Sequence, residues 1–510
     1  MSVSIALFTA DLRLRDNPVL RAALAGADEV VPLFVLDEAV AAAGFAVPNR
    51  RAFLADCLAA LDEGLRERGG RLVLRAGDVA RETARAAREC GAREAHVAAD
   101  VSGYAQRREE RLRAALAEAG CALRVHDAVT CVLAPGAEVP SGGRDHFAVF
   151  TPYYRRWRAA EWRTPLGAPR AVRVPEGAGS LELPRGDRVE GVSPGLAAGG
   201  ERAGRERWAA WRRAGALRAY GGSGDGNSGA GGSRRGGGQG DLGADATSRL
   251  SPHLHFGTLS PVELAHEALG RSGKSGKPGK SVTSGESGKV GEVSEVGEAG
   301  RGGGGAGPGA EAFVRQLAWR DFHRQVLAAR PDAAHADYRP HGDRWRRERG
   351  EAAREIAAWR EGRTGYPVID AAMRQLQYEG WMHNRARLLA ASFLTKTLYA
   401  DWRTGAAHFL ALLVDGDVAN NQLNWQWAAG TGTDTRPNRV LNPLTQARTY
   451  DPNGDYVRRW VPELSGIGGA AVHRPWQLDE AARAELEYPE PIVDLDEARS
   501  RFRAARSAEE

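Results

Sequence analysis

The chain has 510 residues, 42% of them hydrophobic and 26% charged, with a formal net charge of +5 at pH 7. This length and apolar content exclude a disordered protein and predict a core large enough for more than one domain. The weakly basic balance permits a nucleic-acid partner without requiring one.

The cysteines and the N-terminus indicate the compartment. Cys57, Cys90, Cys121 and Cys131 show no metal-binding spacing, which predicts reduced, mostly buried thiols of a cytoplasmic protein. The first residues contain neither a basic stretch nor a long apolar run. The sequence therefore predicts no signal peptide and no membrane span.

Short apolar runs alternate with helical patterns over residues 1–130. The runs predict five buried strands at 3–8, 29–36, 71–75, 94–98 and 122–127. Helical patterns at 51–68 and 80–90 lie between them. Because strands that alternate with helices form parallel sheets, the predicted fold class is α/β with a doubly wound parallel sheet.

The rest of the chain follows other patterns. Residues 131–200, rich in proline and glycine, are interpreted as an interdomain linker. Residues 201–490 are predicted to form an all-α domain, and the stretch 367–398 is typical, with apolar residues three and four positions apart. Glycine makes up more than a third of two segments, 221–246 and 271–310. That composition predicts disordered surface insertions.

The stretch from Asp415 to Trp427 carries the densest chemistry. It combines two carboxylates, a cluster of amides and two tryptophans one residue apart. Carboxylates and amides can hold and tune a flat redox cofactor, and tryptophan can stack an aromatic substrate beside it. Because most tryptophans are packing residues, the 13 tryptophans of the chain are not by themselves evidence of function.

Three hydroxyls and an arginine at 247–252 precede a predicted helix. Free N–H groups at a helix start, together with these side chains, suit a phosphate group. A simple N-cap is the alternative interpretation. The segment 451–455 faintly resembles a calcium loop, but its twelfth position is Pro462 instead of Glu, so no metal site is predicted.

Residues 380–388 are predicted to be helical. Their spacing places Asn384, Arg387 and Leu388 on one face and directs Arg385 elsewhere. An arginine among apolar residues is costly to bury unpaired, so Arg387 is predicted to pair with a carboxylate of the 415–417 motif. An ordinary surface helix with solvated arginines is the alternative.

Together these segments resemble the DNA photolyase/cryptochrome family, most closely its class I cyclobutane pyrimidine dimer photolyases. The motifs that carry the resemblance lie at 11–18, 247–251, 319–322, 364–376, 380–385, 415–417, 425–427 and 441–464. The resemblance implies an N-terminal α/β antenna domain and a C-terminal all-α domain that binds FAD.

The resemblance also implies which residues bind FAD: Tyr220, Thr247, Ser248, Arg249, Leu250, Ser251, Gln316, Arg320, Arg387, Asp415, Asp417 and Asn421. Arg387 and Asp415 would form an ion pair beside the isoalloxazine ring. Asn421 would face the flavin N5, where an amide can both donate and accept a hydrogen bond. Trp425, Trp402 and Trp345 match the family's electron-transfer chain, and with Asn421 they are the implied catalytic residues.

The implied function is light-dependent DNA repair, in which excited, reduced FAD passes an electron to a flipped-out cyclobutane dimer and later receives it back. The dimer would contact Gln316, Trp319, Asn384, Arg385, Leu388 and Trp427. Damaged DNA is the expected partner and a monomer the expected state. The alternative is a cryptochrome-type blue-light photoreceptor that uses FAD without repair.

The sequence departs from the family pattern in three places. Gln316 stands where many photolyases of this class have a Glu that hydrogen-bonds the dimer, and cryptochromes often have Gln there. Leu388 replaces a Met, and the two histidines of six-four photolyases are absent at Asn384 and Leu388, so six-four repair is not expected. The Asn-Glu pair of folate-binding members is not found near Tyr104. A second antenna chromophore is therefore left open between deazaflavin, folate and none.

Overall fold

The computed structural model describes residues 1–220, 241–243, 246–271 and 307–507. Most of the two predicted Gly-rich insertions lies outside the described residues, but two of their ends do not fit the prediction. Leu242 is buried, and its backbone N–H donates to the Tyr450 carbonyl at 2.8 Å. Residues 308–310 begin a helix. The predicted boundaries at 246 and 310 are therefore wrong.

A five-stranded parallel sheet forms the N-terminal part, as predicted. The strands are β1 to β5 in chain order, and their order across the sheet is β3-β2-β1-β4-β5. Their bounds are Val3–Leu7, Glu29–Asp37, Val73–Gly77, Glu94–Ala98 and Ala122–His126.

Five helices accompany the sheet: α1 Pro18–Gly26, α2 Glu38–Ala42, α3 Pro48–Arg66, α4 Val79–Cys90 and α5 Gly103–Glu118. All but the short α2 contribute buried side chains to the two faces. Ala6 of β1 packs with α1 and α3, whereas Ile5 and Leu7 pack with α4 and α5. Successive side chains of a strand point to opposite faces, so strands covered on both sides read as continuous apolar runs. The predicted helices correspond to α3 and α4.

The described regular structure after residue 130 is helical. Its α-helices are α6 Phe150–Ala159, α7 Glu201–Arg213, α8 Ala216–Ala219, α9 Ser251–His255, α10 Pro261–Ala268, α11 Pro308–Ala329, α12 Gly350–Glu361, α13 Pro367–Glu379, α14 Asn384–Ser392, α15 Trp402–Leu412, α16 Val418–Ala429, α17 Pro443–Tyr450, α18 Asp455–Trp460, α19 Glu480–Ala484 and α20 Leu495–Ser507. A π-helical turn, Phe393–Thr397, extends α14. No described helix is both long and apolar enough to cross a lipid bilayer.

The segment 131–200 packs against the helical domain through α6. The buried Trp157 indole N–H donates to the Asp321 carboxylate of α11 at 2.9 Å, and the backbone N–H of Cys131 donates to it at 3.0 Å. Burial raises the pKa of Asp321 to about 6, although these hydrogen bonds oppose the rise. The sequence did not indicate this packing, because no long stretch of the segment has apolar residues at helical spacing.

The stretch 367–398 is not one continuous helix. Gly380 ends α13 with a φ of 59°, and a Cβ there would lie 2.6 Å from the Asn49 side-chain nitrogen. The chain then turns through residues 381–383 before His383 caps α14. The prediction that residues 380–388 form one helix is therefore wrong for 380–383. The glycine permits both the left-handed conformation and the contact with α3.

His253 joins the two parts of the molecule. Its ring lies 5.3 Å from that of Phe53 on α3, and its Nδ1 is 2.9 Å from the Thr258 hydroxyl. Burial lowers the pKa of His253 to about 4, and the nearby Arg207 acts in the same direction. The folded protein therefore holds this imidazole neutral at pH values where the unfolded chain protonates it.

This difference predicts a loss of stability in acid. Between about pH 6.5 and 4 the unfolded chain binds the additional proton, so the free energy of unfolding falls as the pH falls. We expect His253→Asn, which keeps a polar atom near Nδ1, to reduce the loss between pH 6.5 and 5 by roughly 2 kcal/mol. Urea unfolding of the FAD-loaded protein at several pH values measures this change in the free energy of unfolding. His335→Asn, at an exposed position, is the control, and equal pH slopes in all three proteins would contradict the assignment.

Candidate functional site

A cavity of about 450 Å³ lies in the helical domain, bounded mainly by α11, α14, α16 and the segment 247–251. Its wall includes Tyr220, Thr247, Ser248, Arg249, Leu250, Ser251, Gln316, Trp319, Arg320, Asn384, Arg385, Arg387, Leu388, Asp415, Asp417, Asn421, Trp425 and Trp427. All predicted site residues except Trp402 and Trp345 therefore meet at one cavity, although they come from distant parts of the chain.

The hydroxyl segment forms a polar end of this cavity. The N-cap of α9 is Leu250, and no side-chain hydrogen bond caps the helix, so the simple N-cap interpretation is wrong. The Ser251 hydroxyl oxygen accepts from the Trp381 indole N–H at 3.0 Å. Arg249, with a φ of 52°, pairs with Glu379 at 2.9 Å. Thr247 and Ser248 also line the cavity, and hydroxyl and guanidinium donors suit phosphate oxygens.

Arg387 and Asp415 form the predicted ion pair. Arg387 Nη2 lies 2.8 Å and 3.1 Å from the two carboxylate oxygens, and its Nε donates to the Met382 carbonyl at 2.9 Å. The Asp415 side chain is only 3% exposed. The surface-helix alternative is therefore wrong for Arg387.

A second arginine approaches the same turn from the N-terminal domain. Arg50 of α3 donates to the Leu410 and Leu413 carbonyls, both at 2.7 Å. A Cβ on Gly416 would lie 2.6 Å from Arg50 Nη1, so a side chain at this position would displace the guanidinium. Burial lowers the pKa of Arg50 to about 10, and Asp415 opposes the change.

Asp417 caps α16 and stays ionised. Its carboxylate accepts from the backbone N–H and the side-chain amide of Asn420, both at 2.8 Å. Burial alone would raise the pKa of Asp417, but Arg324 and Arg320 of α11 lower it overall. Arg324 Nη1 lies 3.9 Å from the carboxylate. The site therefore holds two carboxylates, Asp415 buried and Asp417 partly buried, beside arginines of opposite charge.

Asn421 lies one turn after Asp417. Its amide nitrogen donates to the Ala406 carbonyl at 3.2 Å and to the Gln422 side chain at 2.9 Å. In the described part of the chain its amide oxygen has no hydrogen-bond partner, and Asn421 lines the cavity. The family resemblance implied an amide that can both donate and accept; because the nitrogen is engaged by Ala406 and Gln422, the oxygen is the atom left to a ligand.

Aromatic rings form another wall. Trp319 stacks on Phe150 of α6 with ring centroids 3.6 Å apart and planes 5° apart. One face of Trp319 is therefore covered by a residue of the segment 131–200. Sequence reasoning missed Phe150, although the aromatic-rich run 150–157 was a visible signal. Trp427 lines the same cavity.

The predicted lesion-binding residues on α14 also face the cavity. The Arg385 guanidinium lies 4.4 Å from the centre of the Tyr450 ring. Burial lowers the pKa of Arg385, and Tyr450 opposes the shift. Tyr450 was missed in the sequence, since nothing in its local pattern places it near residue 385. Gln316 lies one turn before Trp319 and Arg320 on α11 and shares their cavity.

The tryptophans Trp402 and Trp345 lie behind the cavity wall. Trp402 begins α15, is fully buried and donates to Asp337 at 2.8 Å. The ring of Trp425, which lines the cavity, packs against the same helix at Gly405, where any Cβ would clash with it. Close approach of a helix backbone to an aromatic ring thus requires this glycine.

Trp345 lies closer to the surface. It is partly exposed, and its ring centroid is 5.0 Å from that of Tyr399. The next residue, Arg346, forms an isolated parallel bridge with Ala400, two residues before Trp402. The three tryptophans thus lie at the cavity wall, in the interior and near the surface, and their role as an electron-transfer chain stays a prediction.

Comparisons with known proteins identify the family to which this chain is related. Residues 4–171 match the DNA photolyase family and residues 313–508 match the FAD binding domain of DNA photolyase. A deoxyribodipyrimidine photo-lyase from Streptomyces griseus is 58% identical over 99% of both chains. One from Halobacterium salinarum is 35% identical over 96% of this chain and 95% of its own. A cryptochrome DASH from Natronomonas pharaonis is 33% identical over 97% of this chain and 99% of its own.

Two solved structures have a similar fold. A bacterial class III photolyase from Agrobacterium tumefaciens has a TM-score of 0.82 and 29% identity, and the match covers 99% of this chain and 97% of that one. An archaeal photolyase from Sulfolobus tokodaii, solved with two FAD molecules, has a TM-score of 0.76 and 27% identity over the full length of both chains.

The fold and the cavity define a flavoprotein in which an N-terminal α/β domain is followed by a helical FAD-binding domain. The chain belongs to the DNA photolyase/cryptochrome family. The donors of the cavity fit FAD, because hydroxyl and arginine groups suit its phosphates and the buried ion pair and amide suit a polar ring edge.

The ion pair predicts the effect of Asp415→Asn. The substitution keeps the shape of the side chain but leaves Arg387 without a counter-charge, which costs about 3 kcal/mol at a buried site. We expect a lower free energy of unfolding and less bound FAD, measured by urea unfolding and by the ratio of flavin to protein absorbance. Asp187→Asn, in the exposed pair with Arg185, should change neither. Full flavin content in Asp415→Asn would show that the pair does not support the site.

The tryptophan arrangement predicts the effect of Trp402→Phe. Phenylalanine fills most of the space but is much harder to oxidise, so blue-light reduction of bound oxidised FAD should be largely lost. Absorbance spectroscopy in the presence of a thiol reductant follows this reaction. Trp476→Phe, which changes a tryptophan packed 5.6 Å from Tyr366, is the control. An unchanged rate in Trp402→Phe would remove this residue from the electron path.

Proposed function

We propose that this protein is a light-dependent DNA repair enzyme, a deoxyribodipyrimidine photo-lyase that splits cyclobutane pyrimidine dimers. One observation carries the proposal: a single cavity combines charged and hydroxyl groups that suit FAD with an aromatic wall that suits a flipped pyrimidine dimer. The relatives named as photo-lyases, including one 58% identical over the whole chain, support it.

Tyr220, Arg320 and the segment 247–251 would hold the FAD phosphates and neighbouring groups. Arg387 and Asp415 would fix the edge of the isoalloxazine ring, and Asn421 would accept a hydrogen bond from it. When bound, reduced FAD supplies the photoexcited electron that opens the cyclobutane ring. The protein residues orient the two partners and exclude water between them.

The exposed end of the cavity would receive the dimer. Trp427 and the open face of Trp319 would stack on it, while Asn384 and Gln316 would hydrogen-bond its polar edge. Arg385 would contact the lesion or its phosphates. Phosphate contacts supply most of the affinity of such interfaces and make it salt-dependent.

A blue-light photoreceptor without repair activity is the second candidate. Gln316 favours it, because the neutral amide lacks the charge that a Glu would direct at the dimer. A cytoplasmic location, a monomeric state and the identity of a second chromophore, deazaflavin or folate, stay predictions from the sequence.

A repair assay tests the proposal. Photoreduced protein is mixed with oligothymidine that carries cyclobutane dimers and is illuminated near 380 nm, and absorbance at 260 nm is compared with a dark control. We expect light-dependent recovery of absorbance, because restored thymines regain their conjugated 5,6 double bonds.

Two variants separate the candidates. Gln316→Glu should keep or raise the rate of recovery, since a charged acceptor makes hydrogen bonds roughly twice as strong. Gln377→Glu, at an exposed position of α13, should leave it unchanged. No recovery by the parent protein with reduced FAD bound, and recovery after Gln316→Glu, would favour the photoreceptor.

A further inference from the structure

A second cavity, of about 650 Å³, lies away from the flavin site. The π-helical turn 393–397, the segment 438–445 and the C-terminal helix α20 enclose it. Four of its charged residues are cationic and one is anionic: Lys396, Arg499, Arg503, Arg506 and Asp496. Its volume is in the range of small-molecule sites.

Lys396 is a buried basic residue that has no anionic partner among the residues the structure describes. Its side chain is 2% exposed, and its ammonium donates to the Pro437 and Arg439 carbonyls at 2.7 Å and 2.6 Å. No described carboxylate lies within ion-pair distance of it. Burial lowers the pKa of Lys396 to about 7, although Asp434 opposes the shift. The charged form of Lys396 would therefore be stabilised by an anion that enters the cavity.

The arginines of α20 add to this positive charge. Arg499, Arg503 and Arg506 are four and three residues apart, so they share one face of the helix. Arg506 is paired with Asp343 at 3.0 Å. Arg499 is exposed and makes no hydrogen bond or ion pair with the described residues. At least one guanidinium at the cavity is therefore available to a ligand.

We propose that this second cavity binds a phosphate-bearing anion. Arg499 and Arg503 would bind its oxygens at the entrance through charge-assisted hydrogen bonds, for which the planar guanidinium is suited. Lys396 at the inner end would supply the balancing charge. The wall is mostly polar, as a site for a hydrophilic ligand requires.

The anion would also affect the flavin site, because one segment separates the two cavities. Arg439 and Leu441 line the first cavity, whereas Asn438, Val440 and Asn442 line the second. Lys396 holds this segment by its backbone carbonyls. An anion that keeps Lys396 charged therefore fixes the wall that the two cavities share.

Calorimetric titration of the FAD-loaded protein with pyrophosphate, at constant ionic strength, tests the proposal. With FAD bound, the residues of the flavin site that would bind phosphate are already occupied by the phosphates of FAD, so pyrophosphate does not bind there. We expect one pyrophosphate to bind per chain. Arg499→Gln/Arg503→Gln should weaken this binding by roughly tenfold or more, because one lost charge-assisted hydrogen bond is worth about that factor.

The matched control is Arg113→Gln/Arg202→Gln. It removes the same charge from exposed helix positions elsewhere, where the side chains are 59% and 81% exposed. It should bind pyrophosphate like the parent. The substituted arginines of α20 are also exposed, so flavin content and thermal midpoint without pyrophosphate check that both variants fold. Equal binding by both double variants, or no binding by the parent, would overturn the proposal.

A second arm identifies the source of the phosphate. If the group belongs to the DNA backbone, Arg499→Gln/Arg503→Gln also weakens binding of an undamaged duplex, and pyrophosphate competes with that duplex. If it belongs to a free anion, duplex binding is the same in parent and variant while pyrophosphate binding is lost.

Discussion

Two carboxylates, the buried Asp415 and the partly buried Asp417, are the constraint on which the architecture around the cavity depends. A buried charge that loses its partner costs several kcal/mol. Arg387 pairs with Asp415 from α14, and Arg324 reaches towards Asp417 from α11. Arg50 of α3, in the N-terminal domain, donates hydrogen bonds to the backbone carbonyls that precede the same turn. These elements cannot move apart without leaving a buried charge unpaired, so the two domains and the cavity wall hold one another in place.

Helix α16, which follows this turn, carries several residues that line the cavity. Asp417 caps α16, and Asn421 and Trp425 lie four and eight residues later, on the same face of the helix. One rigid element thus presents a carboxylate, an amide and an indole to the cavity. Trp425 then contacts α15 at Gly405, which connects the cavity wall to the helix that carries Trp402.

Sequence periodicity determined the elements whose signal is local. Parallel strands buried on both faces give continuous apolar runs, and the five predicted strands are all present with ends within two residues of the expected ones. Most residues of the cavity were identified through the family resemblance, which rests on short motifs that can be recognised without the tertiary structure. The boundaries near 246, 310 and 380 were wrong, because Leu242, Gly309 and Gly380 owe their placement to partners distant in the chain.

What the tertiary structure alone decided is which distant residues meet. The sequence by itself determined the α/β and all-α parts and the pairing of Arg387 with a carboxylate of the 415–417 motif, and its family resemblance supplied the residues that line the cavity. It did not show that Phe150 covers one face of Trp319, that Tyr450 lies against Arg385, or that Lys396 is buried with no carboxylate of the described residues at ion-pair distance. Those contacts join segments far apart in the chain. Their free energy comes from packing and desolvation, which depend on the assembled core and leave no periodic signal in the sequence.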